Sequence, residues 1–344
     1  MRRGAFFLGG QRFWPAMRRS LLAVVPLALV ASCVQSDSRT GTAAPASPRT
    51  ATASATASAT MTAAPVSAAL TVTDPHGKTF TLKKKPERVV CLTGLCDDAL
   101  VELGLAPVAT TTPKLLARPD YLGAKGAEVP VIPGSFGGED VAKIAEAKPD
   151  LVIGLAGVHD QLRTAVEKFA PLWVVQVKSY DDSIGYLRAL AQLTDRGQQQ
   201  AAAETRFRAK LADGLAKARA AGLDKKPVLA MYGGTSVGVN TTEDVLGHFM
   251  SQFFAYPWPS KGGGFETAQA YNIEEILAKA PQVIFIQSFG TSVSEHYKDN
   301  PVWKRVPAVA AGKVHEVPTE LWASGRGTRA FGIILDEALA KAAG

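Results

Sequence analysis

The chain has 344 residues, of which 47% are hydrophobic, and it carries a formal net charge of +7 at pH 7. That length accommodates a body of two domains of ordinary size. The charge does not indicate nucleic-acid binding, because five of the 38 basic residues lie in the first 32 residues and the others nearly balance the 31 acidic residues.

Residues 1–32 predict a signal peptide. All five of their arginines precede the apolar run from Leu21 to Ala31, and no acidic residue lies among them. The run is shorter than the ~20 residues that a membrane-spanning helix needs. Met17 is an alternative start, and Arg18 with Arg19 leaves the twin-arginine export route open beside the general route.

The residues after the apolar run predict a lipid anchor and a tether. Val30-Ala31-Ser32-Cys33 resembles a bacterial lipobox, which predicts that Cys33 becomes the lipid-modified N-terminus. An ordinary cleavable signal with an incidental cysteine is the alternative. Residues 33–68 are almost entirely Ser, Thr, Ala, Pro and Gly, so they predict a disordered tether that holds a folded body at a membrane surface.

From residue 69 onward the pattern predicts two lobes. Residues 69–196 begin with a hairpin and continue with alternating strands and helices, and the same alternation returns in residues 223–344. Between them, residues 197–222 are rich in Ala, Lys, Arg and Glu and predict one helix, ~36 Å long. The predicted fold class is therefore α/β, with two Rossmann-like lobes that have parallel sheets and are joined by a single long helix.

One phrase occurs in both lobes. DVAKIAEAKPDLVIG runs from Asp140 to Gly154, and NIEEILAKAPQVIFI runs from Asn272 to Ile286. Each phrase begins with a residue that can cap a helix, continues with apolar residues at helical spacing, and has a proline before a β-rich run. The phrases predict the same helix and parallel strand in each lobe.

The body contains no recognisable catalytic set. It has no G-x-S-x-G, H-E-x-x-H or Walker motif, and its histidines are scattered without metal-ligand spacing. Cys91 and Cys96 fit small buried thiols best, with their pairing left open. We therefore expect a binding protein that is not an enzyme and has neither a cofactor nor a metal centre, with an exported, lipid-anchored enzyme as the alternative from another class.

The body, from Leu70 to Gly344, resembles the substrate-binding lipoproteins of ABC importers, in the class whose two α/β lobes are joined by one helix. The residues that carry the resemblance are PERVVCL with the helix after it, both copies of the repeated phrase, the Leu193-Thr194 step, and LWASGRGTRAFGIILDEAL near the end. The class serves iron–siderophore complexes, haem and cobalamin. The resemblance implies a monomer that captures a ferric siderophore, on the outer face of the cytoplasmic membrane or in the periplasm, and delivers it to a permease with its ATPase. Haem or cobalamin remains the alternative ligand.

The resemblance also implies a cleft between the lobes, lined by loops at the carboxyl ends of the strands. Trp322 lies where the family often has a cleft aromatic. Aromatic residues suit a bulky organic rim, arginines suit anionic donor groups, and His159 or Tyr232 could serve as an axial ligand if the ligand were haem. The cleft candidates are Trp322, Tyr232, Arg326, Arg329, Trp258, Phe136 and His159, with Thr235, Tyr256, Phe265 and Gln287 in the same loops.

In this family, an acid on each lobe meets arginines of the permease. Glu274 in the second phrase has that place, in the first turn of its helix, where the helix dipole also favours a carboxylate. The first phrase departs from the family pattern, because Ala142 stands at the equivalent position. Glu139 or Asp140 is the predicted substitute, although Asp140 is also the predicted helix cap.

Overall fold

The computed structural model describes residues 62–233, 237–262 and 270–344. The predicted signal peptide, the anchor Cys33, and the cleft candidates Thr235 and Phe265 lie outside the described residues. Within those ranges, two four-stranded sheets alternate with helices along the chain, and an antiparallel hairpin precedes the first sheet. This arrangement confirms the predicted α/β class. The described part of the chain has no helix that is both long and apolar enough to cross a membrane.

The N-terminal lobe is built on a parallel sheet. Its elements are β1 (Thr71–Thr73), β2 (Thr79–Thr81), β3 (Val89–Cys91), α1 (Gly94–Glu102), β4 (Ala109–Thr110), α2 (Pro113–Leu116), α3 (Ala124–Ala127), α4 (Val141–Glu146), β5 (Leu151–Leu155), α5 (Arg163–Val166), β6 (Leu172–Val175) and α6 (Tyr180–Thr194). Strands β1 and β2 form the predicted hairpin. The sheet order is β4-β3-β5-β6, with every pair parallel, so the loops that follow these strands meet at one edge.

The C-terminal lobe repeats this plan with one change. Its described elements are β7 (Val228–Gly233), β8 (Val237–Val239), α8 (Val245–Met250), α9 (Ile273–Lys279), β9 (Val283–Ser288), α10 (Val293–Tyr297), α11 (Pro307–Ala310), β10 (Val314–Glu316), α12 (Thr319–Trp322) and α13 (Thr328–Ala343). The sheet order is β10-β9-β7-β8. Strands β7, β9 and β10 are parallel, whereas the short β8 pairs antiparallel with β7, which the sequence pattern did not predict.

The repeated phrase forms the same helix and strand in each lobe, as predicted. Asp140 caps α4 by accepting hydrogen bonds from the amides of Ala142 and Lys143. Asn272 caps α9 in a reciprocal pair, because it accepts from the amide of Glu275 while its own amide donates to the Glu275 carboxylate.

The two copies also end alike. Lys148 has a φ of 47° and Ala280 a φ of 48°, and each immediately precedes the proline of its phrase. A residue in the left-handed conformation after the last turn ends the helix, and the proline that follows cannot extend the helix. The likeness of the two lobes therefore extends to the backbone conformation.

A single helix, α7 (Gly197–Ala220), joins the lobes as predicted. Its buried Glu204 accepts hydrogen bonds from Arg188 on α6 (2.7 and 2.5 Å) and from Arg208 (2.7 Å). Gln200 donates to the same carboxylate (2.8 Å). The charge of Glu204 is thus paired, as a buried carboxylate requires, and it fastens α7 to the N-terminal lobe.

Residues 62–68 correct the predicted extent of the tether. The amide of Ala63 donates to Thr205 (3.0 Å), and the amide of Val66 donates to Gln200 (3.1 Å), both on α7. A side chain on Gly197 would overlap the carbonyl of Val66, so glycine permits this close approach. The segment is held through its backbone amides, which the low hydrophobicity of its sequence does not reveal. We call residues 62–69 the strap.

Cys91 and Cys96 form a disulfide, with their Cα atoms 5.4 Å apart. The prediction that favoured separate thiols was therefore wrong. Both residues are buried, one at the end of β3 and the other in the first turn of α1. The bond closes the turn from strand to helix at the edge of the sheet where the cleft is expected.

Candidate ligand site between the lobes

A cavity of about 310 Å³ lies between the lobes. Its lining combines Thr111, Thr112 and Lys114 of the N-terminal lobe with Phe289, Glu320 and Ser324 of the C-terminal lobe. These residues follow β4, β9 and β10, so they come from the carboxyl ends of strands, where ligands bind in open α/β sheets. A larger groove, about 890 Å³, lies between β2 and β6 on the N-terminal lobe alone. The cavity shared by both lobes is the candidate site.

Arg118 links the lobes beside this cavity. Its guanidinium donates two hydrogen bonds to Asp120 (2.9 and 2.8 Å), and another of its nitrogens lies 3.6 Å from Glu320 of the C-terminal lobe. A guanidinium paired with two carboxylates is already occupied. Arg118 is therefore engaged in a contact between the lobes and is not free to bind a ligand.

A polar cluster in the C-terminal lobe includes three of the predicted cleft residues. Gln287, at the end of β9, donates to the side chain of Asn240 (2.8 Å). Asp244 caps α8 and lies close enough to Tyr232 and Arg326 for its charge to act on both. Tyr232, Gln287 and Arg326 thus lie near one another with Asn240 and Asp244, and their role toward a ligand stays a prediction.

The protonation of this cluster follows from its burial. Burial, with a smaller contribution from the charge of Asp244, raises the pKa of Tyr232 to about 12, so its hydroxyl stays protonated at neutral pH. Burial also lowers the pKa of Arg326, and the charge of Asp244 opposes that effect. Arginine nevertheless stays charged in proteins. The cluster therefore combines the Arg326 cation with neutral polar groups and with the Asp244 carboxylate, whose pKa burial raises to about 6.

Arg326 lies in the loop between α12 and α13 and is half-buried. Its carbonyl accepts a hydrogen bond from Ser183 of α6 (2.6 Å), which places the residue at the boundary between the lobes. Its guanidinium makes neither a hydrogen bond nor an ion pair to any residue that the structure describes. A desolvated cation without a direct partner is suited to an anionic ligand.

Two exposed aromatic residues lie in loops: Phe136, after the single bridge between Val131 and Thr110 of β4, and Phe289, directly after β9. Phe136 is 85% exposed and has a φ of 52°, between two glycines that also have positive φ values. Phe289, just beyond β9, is 53% exposed and lines the cavity. Phe136 does not line the cavity, and its role toward a ligand stays a prediction. Phe289 was missed because a lone aromatic residue after a strand has no distinctive pattern.

Three aromatic residues predicted for the cleft belong to the core of the C-terminal lobe. Trp322 is 2% exposed, stacks on Phe285 at 4.9 Å between ring centroids, and donates to Glu337 (2.8 Å). Trp258 is buried and donates to the carbonyl of Val228 (2.7 Å). Tyr256 is likewise buried. The prediction that these three residues bind the ligand is therefore corrected. They pack in the core, and their polar atoms have partners inside the protein.

Arg329 is also corrected. Its guanidinium donates to the carbonyl of Asp120 (2.9 Å) and lies 3.2 Å from Glu102, both in the N-terminal lobe. Its charge is used between the lobes and is not available to a ligand.

Glu139 and His159 form a buried pair in the N-terminal lobe. Nδ1 of His159 accepts from the amide of Leu155 (2.7 Å), so Nε2 carries the proton and donates it to Glu139 (3.2 Å). The second carboxylate oxygen of Glu139 is buried without a hydrogen-bond partner among the described residues. Both predictions are corrected, because a buried acid cannot dock a permease and an engaged imidazole is not free to bind a ligand.

Glu274, by contrast, is exposed in the first turn of α9. Its neighbour Glu275 is engaged by the helix cap and by Lys261 (2.6 Å). The predicted docking residue of the C-terminal lobe thus points to solvent, as that role requires.

Asp97 is a buried carboxylate beside the cavity. One of its oxygens accepts from the hydroxyls of Thr110 (2.7 Å) and Thr112, and the other has no hydrogen-bond partner among the described residues. Burial raises its pKa to about 7. A carboxyl whose pKa is higher in the folded than in the unfolded protein stabilises the fold when it is protonated, and this stabilisation is lost as the pH rises through the folded value.

We therefore expect the protein to gain stability from Asp97 between pH 8 and pH 5, on the order of 2–3 kcal/mol. Asp98 and Asp244, whose burial raises each pKa to about 6, act in the same direction, whereas the lowered pKa of His315 opposes them. Chemical unfolding at pH 8 and at pH 5 measures the slope of the free energy of unfolding against pH. Asp97→Asn should flatten it, and Asp299→Asn, at an exposed acid, should not. An unchanged slope in Asp97→Asn would contradict the expectation.

No group of three or more His, Cys, Asp or Glu side chains in the described ranges is placed to hold a metal ion. The cavity is lined by Lys114, Glu320 and the exposed ring of Phe289, and Arg326 lies two residues beyond Ser324 of its wall. Cations and an exposed aromatic ring suit an anionic ligand with an organic part.

A family model of periplasmic binding proteins matches residues 89–321 of this chain. The Fe(3+)-citrate-binding protein YfmC of Bacillus subtilis is 25% identical over 267 residues, which cover 75% of this chain and 81% of that protein. The Fe(3+) dicitrate-binding periplasmic protein FecB of Escherichia coli is 23% identical over 268 residues, with 75% and 85% covered.

Solved structures show the same fold. The petrobactin-binding protein YclQ of Bacillus subtilis superposes with a TM-score of 0.65 at 21% identity, and the match covers 79% of this chain and 98% of that one. At that identity the likeness concerns the fold. It extends over almost the whole of the solved chain, so both lobes and the helix between them take part.

Proposed function

Since the chain belongs to the family of periplasmic binding proteins, we propose that it captures a ferric chelate outside the cytoplasm and delivers it to the permease of an ABC importer. The observation that carries the proposal is the half-buried guanidinium of Arg326, which lacks a direct partner among the described residues at the boundary between the lobes. Catalysis is not part of the proposal, because the family binds its substrates.

The chemistry of the ligand is inferred from the site and the relatives together. Relatives that cover most of this chain are named for ferric citrate and ferric dicitrate. A carboxylate-rich iron chelate is anionic, and a guanidinium can grip a carboxylate with two hydrogen bonds. Haem is the less favoured ligand, because His159 already donates to Glu139 and the high pKa of Tyr232 keeps its hydroxyl protonated.

Binding of ferric citrate to the purified protein tests the proposal. We expect saturable quenching of tryptophan fluorescence, and Arg326→Ala should weaken the affinity at least about tenfold, since an ion pair between partly buried groups is lost. Arg305→Ala, at an exposed arginine of the same lobe, is the matched control and should bind as the unchanged protein does. A sharp Soret shift with haem, without quenching by ferric citrate, would refute the proposal.

The place of the protein in the cell is part of the same proposal. A lipid on Cys33 would keep it at a membrane surface. A relative in Bacillus subtilis is named as a putative substrate-binding lipoprotein, YhfQ, and is 25% identical over 287 residues. Cys33→Ala should move the protein from the membrane fraction to the soluble fraction. Full solubility of the unchanged protein would count against the anchor.

Docking to the permease is assigned to Glu274 in the C-terminal lobe, because it is exposed at the start of α9. With Glu139 buried and Asp140 engaged as a helix cap, neither predicted acid of the N-terminal lobe is free to act in the same way. In the proposed contact with the permease, the C-terminal lobe therefore supplies a free acid, and the N-terminal lobe supplies neither of its two predicted acids.

A further inference from the structure

A fully buried carboxylate of one lobe caps a helix of the other. Asp98 lies on α1 in the N-terminal lobe, and α13 begins at Thr328 in the C-terminal lobe. The Asp98 carboxylate accepts hydrogen bonds from the amides of Arg329 (3.1 Å) and Ala330 (2.8 Å). The first amides of a helix have no partner inside it, and Gly327, which precedes α13, has no side chain to serve them.

The contact surface around Asp98 fits this cap closely. Tyr121 donates its hydroxyl to the same carboxylate (2.8 Å). A side chain on Gly327 would overlap the Asp98 carboxylate, and a side chain on Gly94 would overlap the carbonyl of Ser324. Glycine at both positions therefore lets the backbone of each lobe approach the other.

The segment held by this cap carries Arg326. Two residues separate Arg326 from Arg329, whose amide bonds to Asp98. On the other side of the cap, the carbonyl of Arg326 accepts from Ser183, which belongs to the N-terminal lobe (2.6 Å). The backbone on both sides of Gly327 is thus fixed by the lobe opposite to the one that contains it.

We infer that Asp98 is a positioning residue for the ligand site: by capping α13 across the lobe boundary, it sets where the Arg326 guanidinium lies. The role of Arg326 toward the ligand rests on the proposed function, whereas the cap does not. The N-terminal end of a helix favours a negative charge, and removal of the carboxylate leaves three buried donors unpaired. The 326–330 segment then loses its helix cap, and the contacts of the Arg326 carbonyl with Ser183 and of the Arg329 guanidinium with Asp120 and Glu102 are its remaining described ties to the N-terminal lobe.

A double-mutant cycle with ferric citrate as the probe tests the link to the ligand. Asp98→Ala should weaken the affinity about tenfold in the unchanged background, but less than about twofold in an Arg326→Ala background, because residues that act as a unit are not additive. Asp336→Asn, which removes an exposed acid from the same helix, should have no effect in either background. Equal losses from Asp98→Ala in both backgrounds would overturn the inference.

Hydrogen exchange tests the cap without a ligand. In Asp98→Ala the amides of Arg329 and Ala330 should exchange at least about tenfold faster than in the unchanged protein, since the hydrogen bonds that protect them are gone. Unchanged exchange at both amides overturns the inference even if binding falls. Failure of the unchanged protein to bind ferric citrate would instead refute the proposed function, and the exchange result would still decide the cap.

A milder pair of variants covers the case in which Asp98→Ala does not fold. Asp98→Asn keeps one oxygen for the helix amides, and Tyr121→Phe removes a single donor. Asp98→Asn should raise exchange at Arg329 or Ala330, whereas Tyr121→Phe should leave both amides protected. If Tyr121→Phe raised exchange at these amides and Asp98→Asn did not, the effect would come from packing in general, and the inference would be overturned.

Discussion

Charge reversal of Glu274 to arginine should abolish uptake of the ligand into cells while leaving its affinity for the purified protein unchanged. The side chain is exposed in the first turn of α9 and has neither a hydrogen bond nor an ion pair within residues 62–233, 237–262 and 270–344. Such a carboxylate is available to a cation of a partner. An arginine in its place would repel that cation, and like charges at an interface cost several kcal/mol.

Uptake of radiolabelled ferric citrate by cells that lack their own copy of the gene measures this effect. Glu274→Gln should lower uptake less than Glu274→Arg, because it removes the attraction without adding repulsion. Glu128→Arg, at an exposed acid of the other lobe, controls for surface charge in general. If Glu274 only favours its helix dipole, the reversal should cost ~0.3–1 kcal/mol of stability and transport should continue, which would defeat the docking assignment.

Trp322→Ala should lower the free energy of unfolding by about 3–5 kcal/mol, the range for removing a large aromatic side chain from a core. The indole is 2% exposed, stacks on Phe285, and donates to Glu337 on α13. Its removal opens a cavity between β9 and the last helix. Trp322→Phe should cost less, because a ring remains against Phe285 and only the hydrogen bond is lost.

Chemical unfolding and ligand titration of the same variants separate packing from recognition. Trp322→Ala should keep its affinity for ferric citrate within about twofold under conditions where it is folded. Phe289→Ala should show the reverse pattern, with nearly unchanged stability and weaker binding, because its ring is exposed in the cavity wall. A stable Trp322→Ala that binds poorly would return Trp322 to the ligand site.

The elements that sequence reasoning located correctly are those with local causes. The helix of each repeated phrase begins at Asp140 or Asn272 because a side chain serves amides two or three residues away, and it ends at a proline. The linking helix consists along most of its length of residues with high helix propensity. These signals act within one turn of chain, so they can be read without knowledge of the fold.

The errors concern contacts between distant residues. Trp322 and Phe136 are both aromatic residues in loops, and only packing decides that one is buried and the other exposed. Arg329 and Arg326 stand three residues apart, yet the guanidinium of Arg329 has partners in the other lobe and that of Arg326 has none among the described residues. Asp98 offered no signal, because the amides it serves lie more than two hundred residues further along the chain.

The strap decides where a pull on the segment that precedes it, including a pull from the lipid proposed for Cys33, enters the folded body. Its backbone bonds run from Ala63 at Thr205 to Val66 at Gln200, so the chain passes along α7 in the direction opposite to the helix. Tension that arrives through the tether meets the Ala63 bond first and then the Val66 bond, both on α7, and after them the bond from the Ala69 amide to the carbonyl of Gln192 on α6 (3.1 Å), before it reaches β1. The load therefore falls on the linking helix and then on α6 before it reaches the first strand of the folded body.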